Sequence, residues 1–160
     1  MYYQIHGVRL RKGSKLLRWY LEMVKGERVS HCYLMLDDDD TQWWYGITTK
    51  GVEMLKFSDY MGEITGMQTS KQVVINQLQL HDILIRVDVY AKSQSVTHPI
   101  DFLAYGMLEW LKRPYKGRNL CTGFIEAVLG MDVSHCTPYE LIQQVNELTQ
   151  ASPERSVLGA

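Results

Sequence analysis

The sequence predicts one small α+β domain, and three observations point there. Its 160 residues are enough to bury a single core. Between Val29 and Phe57, short β-branched and aromatic runs alternate with turn residues, as antiparallel strands do. From Pro99 onward the apolar residues instead recur at helical spacing, and caps and prolines mark the ends.

Each element follows from local chemistry. Lys15 to Lys25 reads as a short amphipathic helix, because Leu16, Leu17, Tyr20, Leu21 and Val24 share a face and Gly26 stands where a C-cap is wanted. Val29–Leu36 reads as a strand. The run Asp37–Asp40 is too polar to continue it and makes a turn, and Trp43–Thr49 returns as the second strand of a hairpin. After Gly51, Val52–Phe57 reads as a third strand. Gln72–Ile75 and Ile83–Tyr90 also read as strands, the second because Ile83, Ile85, Val87 and Val89 alternate. His98-Pro99 marks a boundary. A helix follows to Lys112, with Phe102, Leu103, Met107, Trp110 and Leu111 on one broad face, and Arg113-Pro114 stops it. Cys121–Leu129 is helical and Gly130 ends it. Thr137-Pro138-Tyr139-Glu140 is a capping box with proline at the first helical position, opening a helix through about Leu148. The domain is expected over residues 1–148, with 149–160 as a loose C-terminal tail.

Composition excludes several classes. Apolar residues make up 46% and charged residues 22%, the profile of a globular chain, and a formal net charge of −1 gives no strong nucleic-acid signal. Charge is uneven, however: Arg9, Arg11, Lys12, Lys15 and Arg18 precede the first acid. They read as a solvated helix face plus a basic arm, through which a protein partner could dock, as it could through the tail. No apolar run reaches a membrane span, and MYYQIHGVRLRKG lacks the apolar core of a signal peptide. Three cysteines, an odd number without close spacing, argue for a reducing compartment rather than a disulfide framework. The expected location is the cytoplasm, or a virion if the chain is phage-encoded.

Chemistry concentrates at Cys121. A thiol becomes a nucleophile when its thiolate is stabilised, and the start of a helix does this through unpaired N–H groups and the dipole. Cys121 occupies such a start. Thr122 and Gly123 behind it are small enough to admit a substrate to those N–H groups, which could form an oxyanion hole. A general base is needed, and of His6, His31, His81, His98 and His135 only His31 lies inside a well-marked strand.

Two segments carry a family resemblance. RKGSKLLRWYLEMVKGERVSHCYLML resembles the opening of circularly permuted papain-like proteins related to the NlpC amidases and the lecithin:retinol acyltransferases. There a helix precedes a strand bearing the catalytic histidine. NLCTGFIEAVLGMDVSHCTPYELIQQV resembles the later part, in which the nucleophilic cysteine opens a helix. The similarity spans roughly residues 9–57 and 99–148, on short motifs. It implies a permuted papain-like fold, a small antiparallel sheet packed against helices, with His31 as general base and Cys121 as nucleophile. The implied substrate is an amide or ester, a peptidoglycan peptide or an acyl lipid, and no cofactor is implied. The family's third residue, a polar group orienting the imidazole, belongs on the strand paired with that of His31. Relatives often carry an acid, a histidine or an amide there, whereas this chain offers Tyr45, Gly46, Ile47 and Thr48, so the role falls to Tyr45 or Thr48.

Other constellations are weaker. His31, Cys32, His135 and Cys136 invite a zinc site, but neighbouring strand residues point to opposite faces. Asp37–Asp40 lacks the glycine and terminal glutamate of a calcium loop. Trp43 and Trp44 read as sheet residues, one on each face. The rival expectation is a catalytically weak or inactive structural or binding module of the same fold, such as a minor phage particle component.

Overall fold

A computed structural model of the chain describes residues 1–12, 15–38, 41–93, 120–131 and 137–151. The fold is α+β, with a small antiparallel sheet packed against helices. In chain order the described elements are β1 (Tyr2–Leu10), α1 (Lys15–Tyr20) running into a π-helical turn (Leu21–Lys25), β2 (His31–Asp37), β3 (Gln42–Thr48) and β4 (Gly51–Lys56). Then come α2 (Phe57–Tyr60) with a 3₁₀ turn (Met61–Glu63), β5 (Ile64–Thr69), β6 (Val73–Val74), α3 (Gln77–Lys92), α4 (Cys121–Leu129) and α5 (Pro138–Ala151). The strand order is β4-β3-β2-β1-β5, with β6 added beside β1.

The hairpin of β2, β3 and β4 forms where its residues predict. Asp38 Oδ1 accepts from Thr41 N (3.0 Å) in the first turn. The helix ends also follow the sequence. Gly26 and Gly130 adopt left-handed φ values of 69° and 66°, a region that costs glycine nothing, and each cap N–H closes onto the helix before it. At the start of α5, Thr137 N donates to Glu140 Oε2 (2.9 Å) and Glu140 N to Thr137 Oγ1 (3.2 Å), the reciprocal capping box. That helix runs to Ala151, past the expected Leu148, and so takes in the first residues of the expected tail.

Two readings are corrected, and one strand is added. Tyr2–Leu10, taken in part as a basic arm, is a central strand, paired with β2 on one side and β5 on the other. Along it Arg9 pairs with Glu22 (2.6 Å), and just past its end Lys12 pairs with Glu63 (3.6 Å). The strand hides in the sequence because residues on both of its faces are buried, which erases the alternation, and because His6 and Gly7 interrupt its apolar run. Ile83–Tyr90 is helix, not strand. Asn76 caps α3 through Gln79 N (2.9 Å), and only Ile83 and Val87, four apart, are buried, while Ile85 and Val89 face outward. The β-branched alternation coincided with a helical period. The edge strand β5 was not anticipated, since Gly66 and its polar residues leave a weak hydrophobic signal. The helix expected before Lys112 lies outside the described residues.

Two apolar layers sandwich the sheet. On one face α3, α4 and α5 cover Ile5, Cys32, Leu34, Leu36, Tyr45 and Ile47 with Phe124, Ile125, Val128, Leu141, Ile142 and Val145. On the other, Val8, Tyr33, Met35 and Trp44 lie under Phe57 and Tyr60 of α2. No described helix is long and apolar enough to cross a membrane.

Candidate active site

Cys121 and His31 each open an element: Cys121 is the first residue of α4 and His31 the first of β2. Helix α4 packs on β2 and β3, which brings its first turn to the end of the sheet where β2 begins. Leu120 precedes it in extended conformation and supplies no side-chain cap. Phe124 N is the first amide to find a helical acceptor, Leu120 O (2.9 Å), so the N–H groups of Cys121, Thr122 and Gly123 precede the helical ladder.

The strand pairing opens a place for the thiol. Ile5 exchanges hydrogen bonds with Ser70, accepting from its N (2.9 Å) and donating to its Oγ (3.0 Å), so the polar backbone groups of Ile5 point away from β2. Its partner Leu34 therefore turns its own toward β3, and by the two-residue repeat Cys32 does the same. The β2–β3 ladder, however, ends at Leu34–Tyr45. Beyond that point the Cys32 N–H is available, and it donates to the Cys121 sulfur.

Electrostatics follows from these contacts. The Cys121 thiol is held well below its ordinary range, first by a hydrogen bond with the Cys32 side chain, then by the charge of the His31 imidazole and a hydrogen bond with it, and by the Cys32 N–H; burial opposes them. The side chain is only 6% exposed. Such surroundings favour the thiolate form of Cys121.

Thiol and imidazole arrive from different layers. Cys32 and Cys121 belong to the helix-covered core, whereas His31 lies on the other face, edge-on to Tyr33 with ring centroids 4.7 Å apart and planes at 75°. They meet only because both stand at the sheet's end. His31 Nε2 is enclosed and has no hydrogen-bond partner among the described residues.

The third position does not fall to Tyr45. It pairs with Leu34, shares the aliphatic layer with Cys32, and its phenol is pushed upward first by burial and then by the charge of Asp38, at the far end of β2. Side chains alternate along a strand, and Tyr45 has the wrong parity to stand beside His31. Continuing the register sets Thr48 level with His31, but its hydroxyl is tied into the β3–β4 turn, donating to Gly51 O (3.4 Å) and accepting from Lys50 N (3.1 Å). No carboxylate forms an ion pair with His31 among the described residues. What the sequence did not reveal is the part of Cys32 and Tyr33, since both depend on strand register and on where the ladder stops. His31 and Cys32 point to opposite faces, His135 and Cys136 lie outside the described residues, and no group of three metal-ligating side chains gathers among those described.

Comparison with protein-family models, with curated proteins and with solved structures gives no match to this chain.

Proposed function

We propose that this chain is a thiol hydrolase or acyltransferase of the circularly permuted papain-like kind, with Cys121 as nucleophile and His31 as general acid and base. One observation carries the reading: a thiol at a helix start, lowered by His31 and by both the side chain and the N–H of Cys32. The order histidine before cysteine, with a helix leading into the histidine strand, agrees with the permuted arrangement.

In this reading the Cys121 thiolate attacks the carbonyl carbon of an amide or ester. The N–H groups at the start of α4 receive the developing oxyanion, which they can do without breaking a helical bond. His31 gives its proton to the leaving amine or alcohol, and a thioacyl-enzyme remains. Water, or another acceptor, then attacks while His31 takes its proton, and the thiolate departs. A cell-wall peptide would be cleaved at an amide; an acyl lipid would lose or transfer its acyl chain. A location in the cytoplasm or in a phage particle suits the same chemistry.

The rival is an inactive structural or binding module on the same fold. His31 Nε2, without a partner among the described residues, favours it, because a working imidazolium is ordinarily supported there. Hydrolysis of an activated acyl ester separates the two. Wild type should show a burst of product with acyl mass retained on Cys121, and Cys121→Ala and His31→Ala should lose turnover by at least about a hundredfold. Equal rates in wild type and Cys121→Ala would leave the module reading standing.

A further inference from the structure

We propose that Tyr33, seated over Gly46, is the positioning residue for the His31 imidazole. The inference rests on the reading of Cys121 and His31 as a working pair, and it answers what holds the histidine when neither Tyr45 nor Thr48 does.

The two rings follow one another on one face of β2, and their edge-on contact fixes the plane of an imidazole whose Nε2 has no hydrogen-bond partner among the described residues. Tyr33 is itself immobilised. It is fully buried, its hydroxyl donates to Tyr60 Oη (3.0 Å), and its ring lies against Tyr60 at 5.5 Å and Trp44 at 5.3 Å. Gly46 provides the floor: a Cβ there would come within 2.6 Å of Tyr33 Cε1, so any side chain would lift the phenol from its seat. The wall therefore supplies orientation with no acceptor atom. Glu53 registers opposite Gly46 and its charge is felt at Tyr33, not as an ion pair with His31.

The test is the pH profile of Cys121 alkylation by iodoacetamide, followed by mass spectrometry in the full-length protein. Wild type should label rapidly at pH 6, and His31→Ala should label there at least tenfold more slowly, as expected when the thiolate limb moves up by about one pH unit. Tyr33→Leu and Gly46→Ala should move the profile toward that of His31→Ala, whereas Tyr33→Phe, which keeps the ring, should stay within about threefold of wild type. If Tyr33→Leu and Gly46→Ala, folded by circular dichroism, keep the wild-type profile, positioning by Tyr33 is overturned while the pair survives. If His31→Ala itself matches wild type, the pair fails and the proposal with it. A second measurement needs no variant that might misfold: the His31 ring protons of the native protein should be displaced from their ordinary positions by the Tyr33 ring current. Their resonance at ordinary positions would overturn the contact.

Discussion

The two faces of the sheet are built from different materials. The helix-covered face is mainly aliphatic: Ile5, Leu34 and Ile47 meet Ile125, Val128, Leu141 and Ile142, side chains with no polar atom to satisfy, with the Phe124 ring among them. The opposite face is aromatic and carries ring nitrogens. His6 Nδ1, His31 Nε2 and Trp44 Nε1 are all enclosed there without hydrogen-bond partners among the described residues. An enclosed polar atom of that kind costs on the order of 1–3 kcal/mol. The first face therefore stabilises, and the second holds His6, whose protonation responds to its burial. The candidate site stands where the layers meet at the sheet's end, with a thiol from the aliphatic side and an imidazole from the aromatic side.

The largest expected effect tests the aliphatic face. Phe124 is fully buried and packs edge-on against Tyr90 at 5.1 Å. Phe124→Ala should destabilise the protein by about 3–5 kcal/mol through lost burial and the cavity left behind. Urea unfolding at pH 7 measures this, and a loss under about 1 kcal/mol would show that this layer does not carry the fold.

The next effect belongs to the aromatic face. His6 Nε2 lies 3.0 Å from Gln4 Oε1, which can only accept, because the Gln4 amide nitrogen donates to Ser70 O at 2.6 Å. His6 is thus neutral with its proton on Nε2, and burial lowers its pKa from 6.5 to about 4. The unfolded chain binds the proton more readily than the folded one, so stability is full above pH 6.5 and falls as the pH drops toward 4. At ~1.4 kcal/mol per pH unit the loss reaches about 3 kcal/mol. His6→Phe keeps a ring against Trp44 and removes the titration, so its urea midpoint should vary less between pH 7 and pH 4 by that amount. A wild-type slope retained in His6→Phe would place the acid sensitivity elsewhere.

How far the sequence reveals this molecule depends on how local each signal is. The caps at Gly26, Gly130 and Thr137 are decided by a few neighbouring residues, and they stand where the sequence puts them. The hairpin strands β2–β4 were legible for the same reason. Strand β1 was not, because a strand buried on both faces loses its period, and α3 was misread because Ile83 and Val87 fit either repeat. At the site, His31 and Cys121 were legible as residue types in a familiar order. The parity that turns Tyr45 away, the early end of the β2–β3 ladder and the seat that Gly46 gives Tyr33 are not written in any one segment. They arise only when distant segments pair.

The smallest effect sharpens the boundary between the layers, at Cys32. Its side chain is fully buried on the aliphatic side and is the foremost cause holding the Cys121 thiol down. Hydrogen bonds to charged groups contribute about 1.5–3 kcal/mol, so losing this one should raise the thiol. Cys32→Ala removes the sulfur but leaves the Cys32 backbone N–H and the imidazole in place, so the shift should be partial and smaller than that of His31→Ala combined with Cys32→Ala. The sign is fixed: without a donor the thiolate loses support, alkylation of Cys121 slows near pH 6, and above the ordinary thiol range the two proteins label alike. Rates measured across that span would show whether the aliphatic layer contributes chemistry as well as stability. Identical profiles for wild type and Cys32→Ala would assign the lowering to His31 and the Cys32 N–H and make the neighbouring thiol an ordinary core residue.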